Sequence, residues 1–336
     1  MNDMPEQERL EPELSAAQAK AATTPEEITP PVEQVLPIAQ LEPIHFENVP
    51  DTSPVLFQSW SAPEAPPPTR IPNFGHLCIL ALLLVLGWLG AIGLAFSALH
   101  FHLFGVNSIQ KAATDIHYTL GTMVVLYLLT FGGCLIIFPI VWQKGLFRGL
   151  QWNGATAFRL RGRLFGAAGV CFALAMIDQI VLPGPDNAPI DKLFQTRLAA
   201  WSLFVFGITF APFFEEILFR GFLLPALCTA CDWTAERFTH SRPHPLDQNG
   251  HPQWSMTAMI IASILTSIPF ASMHAEQTAN ALGPFLLLVC VSLVLCAVRL
   301  ATRSLAASML VHASYNFVLF SLMLVTTHGF QHLDKM

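Results

Sequence analysis

Glu215, Glu216 and Arg220 interrupt an otherwise apolar run from Trp201 to Leu224. Charge at the centre of a membrane helix costs about 2.5–3.5 kcal/mol per residue, so about 8–10 for the three, against roughly 4–8 returned by the Phe, Ile, Leu and Val around them. Such groups must face a protein interior or a wet cavity, and they call for a function. At 3.6 residues per turn, Glu216 and Arg220 share a helix face at i and i+4, where carboxylate and guanidinium can pair. Glu215 points about 100° away and has no local cation. A carboxylate desolvated in that way gains proton affinity, which suits a general base.

Two further apolar stretches hold histidines. Phe270 and His274 are spaced i, i+4, so ring can pack on ring; His312 and Asn316 have the same spacing and could address one point. A carboxylate, two imidazoles and an amide are enough to activate a water and to stabilise an oxyanion. Other intramembrane chemistries leave marks that are missing. There is no HExxH, since His274-Ala275-Glu276 has its acid one place late, and there is no GxSxG elbow and no pair of aspartates suited to sharing a proton. Asp178 reads as an interfacial group.

The elements that must position these residues follow from composition. The chain has 336 residues, 53% of them hydrophobic and 12% charged, with a mean hydropathy of +0.51. That places it among integral membrane proteins rather than soluble domains. A bilayer core of ~30 Å needs about 20 apolar residues at 1.5 Å each. This ruler marks spans near 77–100, 118–142, 164–182, 199–227, 254–274, 282–300 and 304–326. The expected fold is therefore an all-α, polytopic bundle of seven transmembrane helices, or eight if the fourth breaks at Pro212. Glu215 and His274 lie about 22–24 Å from one set of helix ends and His312 about 12–15 Å, so tilt or bending at Pro212 and Pro269 is required.

The connection between the second and third spans carries Lys144, Arg148, Arg159, Arg161 and Arg163 with no acid, which assigns it to the cytoplasm. Counting crossings then puts the N-terminus in the cytoplasm, together with Arg237, Arg242, Arg299 and Arg303. Residues 1–72 contain more than half of the 25 prolines, and residues 1–70 hold 12 acids against 3 bases. This tail cannot bury enough apolar surface to offset its ordering entropy and is expected to be disordered. Cys228 and Cys231 form a CxxC without the second pair that a zinc finger needs. His240, His244 and His251, in the polar connection from 228 to 253, read as solvated rather than as metal ligands.

The motifs Glu215-Glu216-Ile-Leu-Phe-Arg220, Phe270-Ala-Ser-Met-His274 and His312-Ala-Ser-Tyr-Asn316 closely resemble the EExxxR, FxxxH and HxxxN signatures of the CPBP family, also called the Abi or CAAX-protease family. Order and spacing match, over roughly residues 160–325. The resemblance implies an intramembrane endopeptidase related to the type II CAAX prenyl endopeptidases. In it Glu215 and His274 would activate the attacking water, Arg220 would hold Glu216, and His312 with Asn316 would stabilise the oxyanion. No cofactor is certain: a divalent metal such as zinc, held by Glu215, His274 and His312, stays open. The expected organisation is a tail (1–72), two helices and a basic loop (73–158), a catalytic membrane domain (159–326) and a short C-terminal tail (327–336). Expected partners are the lipid bilayer, in the plasma membrane, and a peptide or protein substrate, with no nucleic acid. The alternative is a non-proteolytic immunity or scaffold protein that keeps the polar cluster for packing.

Overall fold

In a computed structural model the described residues are 70–182, 194, 196–247 and 251–331. Most of the expected tail therefore lies outside them. The long elements are α1 (Phe74–His100), α2 (Ile116–Trp142), α3 (Arg161–Val181), α4 (Arg197–Thr239), α5 (Met256–Ser272), α6 (Leu282–Thr302) and α7 (Leu305–Thr326). All but α5 are long and apolar enough to cross a membrane. α5 has 17 residues, about 25 Å of helix, a little short of the bilayer core.

The outward faces are apolar: Leu82, Leu86, Trp88, Ile136 and Ile140 are more than half exposed. In water such a surface would aggregate, whereas in lipid it is the expected exterior. The interior, by contrast, holds Glu216 and Arg220 at 0% exposure. This protein is a multi-pass integral membrane protein with its polar groups turned inward.

α1 lies along α2, and α7 contacts α3, α4 and α6, while α5 is held between α4 and α6. Close approach rests on small residues. A Cβ on Gly87 would strike the Thr130 hydroxyl and the Leu126 carbonyl of α2, and one on Gly207 would strike the Phe320 ring of α7.

Among the described residues the fourth span runs for 43 residues as two helical segments, Arg197–Ile208 and one beginning at Phe210, so the break expected near Pro212 is present. Its irregularity falls at Thr209 (φ −122°, ψ −73°), three residues before Pro212. Proline lacks the N–H that would reach Ile208, and its ring crowds that carbonyl, so the break appears one turn upstream. The Thr209 hydroxyl donates to the Val205 carbonyl at 2.6 Å. Further on, Ile217–Leu223 is a π turn, ending two residues before Pro225. A π turn widens the helix where an intrahelical bond is lost, and it is frequent at functional sites.

Two residues assigned to the tail from composition are packed instead. Ile71 is buried, and Arg70 Nη2 meets Glu236 Oε1 at 2.7 Å. At the other end Phe330 is buried against Ala200 and Leu203, so the ordered region also runs past the expected boundary at 326.

Candidate active site

The glutamate pair sits at the last turn of regular helix before the π turn of α4. Glu216 Oε1 receives Arg220 Nη1 at 3.0 Å with both side chains at 0% exposure. The guanidinium is also tied to α6, donating through Nη2 to the Ser292 hydroxyl (2.7 Å) and carbonyl (3.2 Å). It lies over the face of Phe270, 4.4 Å from the ring centroid, where the ring quadrupole favours a cation. Phe270 thus has a specific task. The same ring contacts His274 at 5.3 Å and His312 at 5.9 Å, centroid to centroid.

His274 lies in the turn just beyond the end of α5, and its Nδ1 is 3.0 Å from the Phe270 carbonyl oxygen. A carbonyl only accepts, so Nδ1 carries the hydrogen and donates, satisfying one of the orphan carbonyls of the helix end. The Nε2 atom then presents a lone pair in the neutral ring. It faces Glu215 Oε1 at 3.9 Å.

His312 on α7 is fixed by the same logic. Its Nδ1 is 3.1 Å from Glu216 Oε1, and a carboxylate paired with Arg220 is an acceptor, so Nδ1 is again the donor. His312 Nε2 faces the other oxygen, Glu215 Oε2, at 3.8 Å. Each Glu215 oxygen is therefore opposed by one imidazole nitrogen, and all of these atoms are proton acceptors when the rings are neutral. The separations exceed direct hydrogen-bond reach and match the span of a single bridging water.

Asn316 is one turn further along α7, where its Nδ2 donates to the Gly207 carbonyl of α4 at 2.8 Å. That bond braces α7 against the turn that precedes the kink at Thr209. The structure thus gathers Glu215, Glu216, Arg220, Phe270, His274 and His312 around one point and places Asn316 beside it, with one of its two amide hydrogens spent on the backbone.

The residues do not fit a metal. Among the described residues no group of three or more His, Cys, Asp or Glu side chains converges to hold an ion. Tetrahedral zinc with bonds of about 2.0–2.1 Å brings ligand atoms to roughly 3.4 Å of one another; the nitrogen–oxygen pairs here are at 3.8 and 3.9 Å and address different oxygens. The loop histidines do not converge either, since His244 Nδ1 is taken by Glu236 at 2.8 Å and His240 is exposed.

Three features escaped the sequence reading. Ser292 is a lone hydroxyl in an apolar span and gives no signal. Arg299, expected at the cytoplasmic end of the sixth span, is buried in the last turn of α6, at 2% exposure. Tyr127 and Thr130 on α2 share with Glu215 the lining of a cavity of about 250 Å³, completed by apolar side chains such as Leu84, Phe214 and Met273. Tyr127 stacks on Phe214 at 4.6 Å.

Bundle and site together define a helical membrane protein with a buried glutamate–histidine centre opening on an apolar cavity. Residues 196–318 match the family profile described as type II CAAX prenyl endopeptidase Rce1-like, so this stretch of the chain is similar to that family. The match contains all three motifs and begins at α4; α1, α2 and α3 lie before it. Neither a curated protein nor a solved structure matches the chain.

Proposed function

We propose that the protein is an intramembrane endopeptidase that hydrolyses CaaX-like peptides of membrane-associated substrates with a water activated by Glu215 and its flanking histidines. The observation that carries this reading is Glu215, its two oxygens faced by His274 Nε2 at 3.9 Å and His312 Nε2 at 3.8 Å. A water placed between Glu215 and one of the imidazoles could give one hydrogen to the carboxylate and the other to that ring's Nε2. Glu215 takes a proton as the water oxygen attacks the scissile carbonyl, and the C–N bond then breaks as that proton passes to the departing amine. An imidazole that has taken a proton from solvent before the substrate carbonyl arrives presents Nε2–H as a donor to the oxyanion. The amide hydrogen of Asn316 not engaged by Gly207 is the second donor.

Apolar walls on the cavity beside Glu215 suit a substrate with a lipid or aliphatic portion. The acid-free cluster Lys144, Arg148, Arg159, Arg161 and Arg163 supports a cytoplasmic position for that connection and hence for the N-terminus, in the plasma membrane.

The test is Glu215→Gln, which keeps shape and removes the base. With a farnesylated CaaX peptide as probe, the variant should lose about 10²–10⁴-fold in turnover while inserting and unfolding like the parent. Cleavage within threefold of the parent would refute the mechanism. Full retention of any cellular phenotype by the inactive variant would point instead to an immunity or scaffold role.

A further inference from the structure

Arg299 lies outside all three motifs, yet it is among the most completely buried large side chains of the described region. No carboxylate forms an ion pair with it among the described residues. Its Nε donates to the backbone carbonyl of Arg220 at 3.2 Å and its Nη2 to that of Leu150 at 3.3 Å, while Nη1 is buried without a hydrogen-bond partner. Burying a guanidinium on two carbonyls is costly, and an apolar residue there would cost less. Its presence therefore needs a reason.

That reason lies in the π turn. In an α-helix the Arg220 carbonyl would accept from the N–H of Leu224, but that N–H is directed to Phe219, five residues back. In π register the donor would be residue 225, which is a proline and has no N–H. Neither register supplies the Arg220 carbonyl with a backbone donor, and a buried carbonyl left without one is costly. Arg299 Nε fills this position from the neighbouring helix. The second arm, on Leu150, fastens the same turn to the segment after α2.

We infer that Arg299 is a positioning residue for the glutamate motif: it supplies from α6 the hydrogen bond that Pro225 removes from α4, and so holds the π turn that sets Arg220 against Glu216 and Glu215 against the histidines. The inference rests on the proposed endopeptidase reading for its kinetic arm alone; its structural arm is independent of activity.

Three substitutions separate a donor from mere bulk or charge: Arg299→Met removes the donor at similar volume, Arg299→Lys keeps donor and charge, and Arg299→Gln keeps a neutral donor. Hydrogen exchange of peptides spanning residues 216–224 should quicken about tenfold or more in Arg299→Met, with peptides from α1 unchanged, and be restored towards the parent in Arg299→Lys and Arg299→Gln. On the farnesylated CaaX peptide, kcat of Arg299→Met should fall about 10- to 100-fold with KM within about twofold, because the reacting groups are displaced while the apolar cavity is not. Arg299→Lys should recover most of that loss. Parent-like exchange and kcat in Arg299→Met would overturn the inference, as would equal losses in all three variants. If Arg299→Met does not accumulate as folded protein, Arg299→Gln decides through its exchange alone: protection supports the assignment and exposure of residues 216–224 refutes it. A parent protein that cleaves nothing defeats the proposed function and leaves the exchange result to judge Arg299.

Discussion

Arg220→Met isolates what the buried ion pair does for the fold and what it does for the site. The substitution removes the 3.0 Å contact to Glu216 and both bonds to Ser292, all inside a region at 0% exposure. It leaves a carboxylate whose remaining side-chain partners are His312 and Ser308. Breaking a buried pair from one side costs about 3–5 kcal/mol, because the surviving charge stays desolvated. The loss of three charged hydrogen bonds at once places this case in the upper half of that range. In Glu216→Met/Arg220→Met the orphan charge is gone and two apolar side chains fill the space, so most of the loss should return. What persists is the cost of leaving the Ser292 hydroxyl and His312 Nδ1–H without partners, about 1–3 kcal/mol each at most. Reversible unfolding in mixed micelles, followed by tryptophan fluorescence, measures both variants against the parent. Peptide cleavage should not return with stability, since His312 has lost the acceptor that fixes its tautomer. A loss below about 1 kcal/mol in Arg220→Met, or a double variant no more stable than the single, would refute this account. Restored cleavage in the double variant would show that the tautomer argument is wrong.

Prolonged dialysis against a strong chelator should leave cleavage of the CaaX probe intact, because Glu215, His274 and His312 are not disposed as metal ligands; loss of activity restored by zinc would contradict that geometry. In the loop after α4, burial pushes His251 below its usual imidazole range, only partly opposed by Asp247. With a depressed folded value, the unfolded chain binds the proton first, so the loop is fully stable above about pH 6.5 and loses stability as pH falls through that value. Hydrogen exchange of the described loop segment should therefore quicken on acidification, and His251→Gln should flatten the response; an unchanged slope would remove His251 as the cause. Gly87→Leu forces a side chain against Thr130 and Leu126 at the α1–α2 contact, so it should destabilise by about 1–3 kcal/mol. Leu86→Ala, on the exposed face of α1, should stay within about 0.5 kcal/mol of the parent.

The chemistry was legible in the sequence because charge in an apolar run has few explanations, and i, i+4 spacing pairs Glu216 with Arg220 and sets Phe270 against His274 by local geometry alone. What stayed hidden depends on which groups a neighbouring helix must supply. Pro212 was visible, but the break it causes sits at Thr209, since the bond that proline forfeits belongs to the preceding turn. Pro225 was equally visible, yet its effect is a carbonyl left without a donor, and nothing in α4 shows that the replacement comes from Arg299. Counting charges put that arginine at the cytoplasmic end of its span and said nothing of its burial; the missing N–H at residue 225 supplies the reason. Depth had a similar resolution. Measured towards the end where α4 stops and α7 starts, Glu215 lies 24 residues from Thr239 and His312 seven from Leu305, roughly 36 and 10 Å of helix. Both nonetheless meet at 3.8 Å. α4 must therefore tilt or run past its neighbours, and the kink and the π turn on either side of the glutamates are where such a helix can be redirected without losing the contact. The irregularities that the apolar pattern conceals are thus the features that let three helices of unequal reach bring their polar side chains to one point.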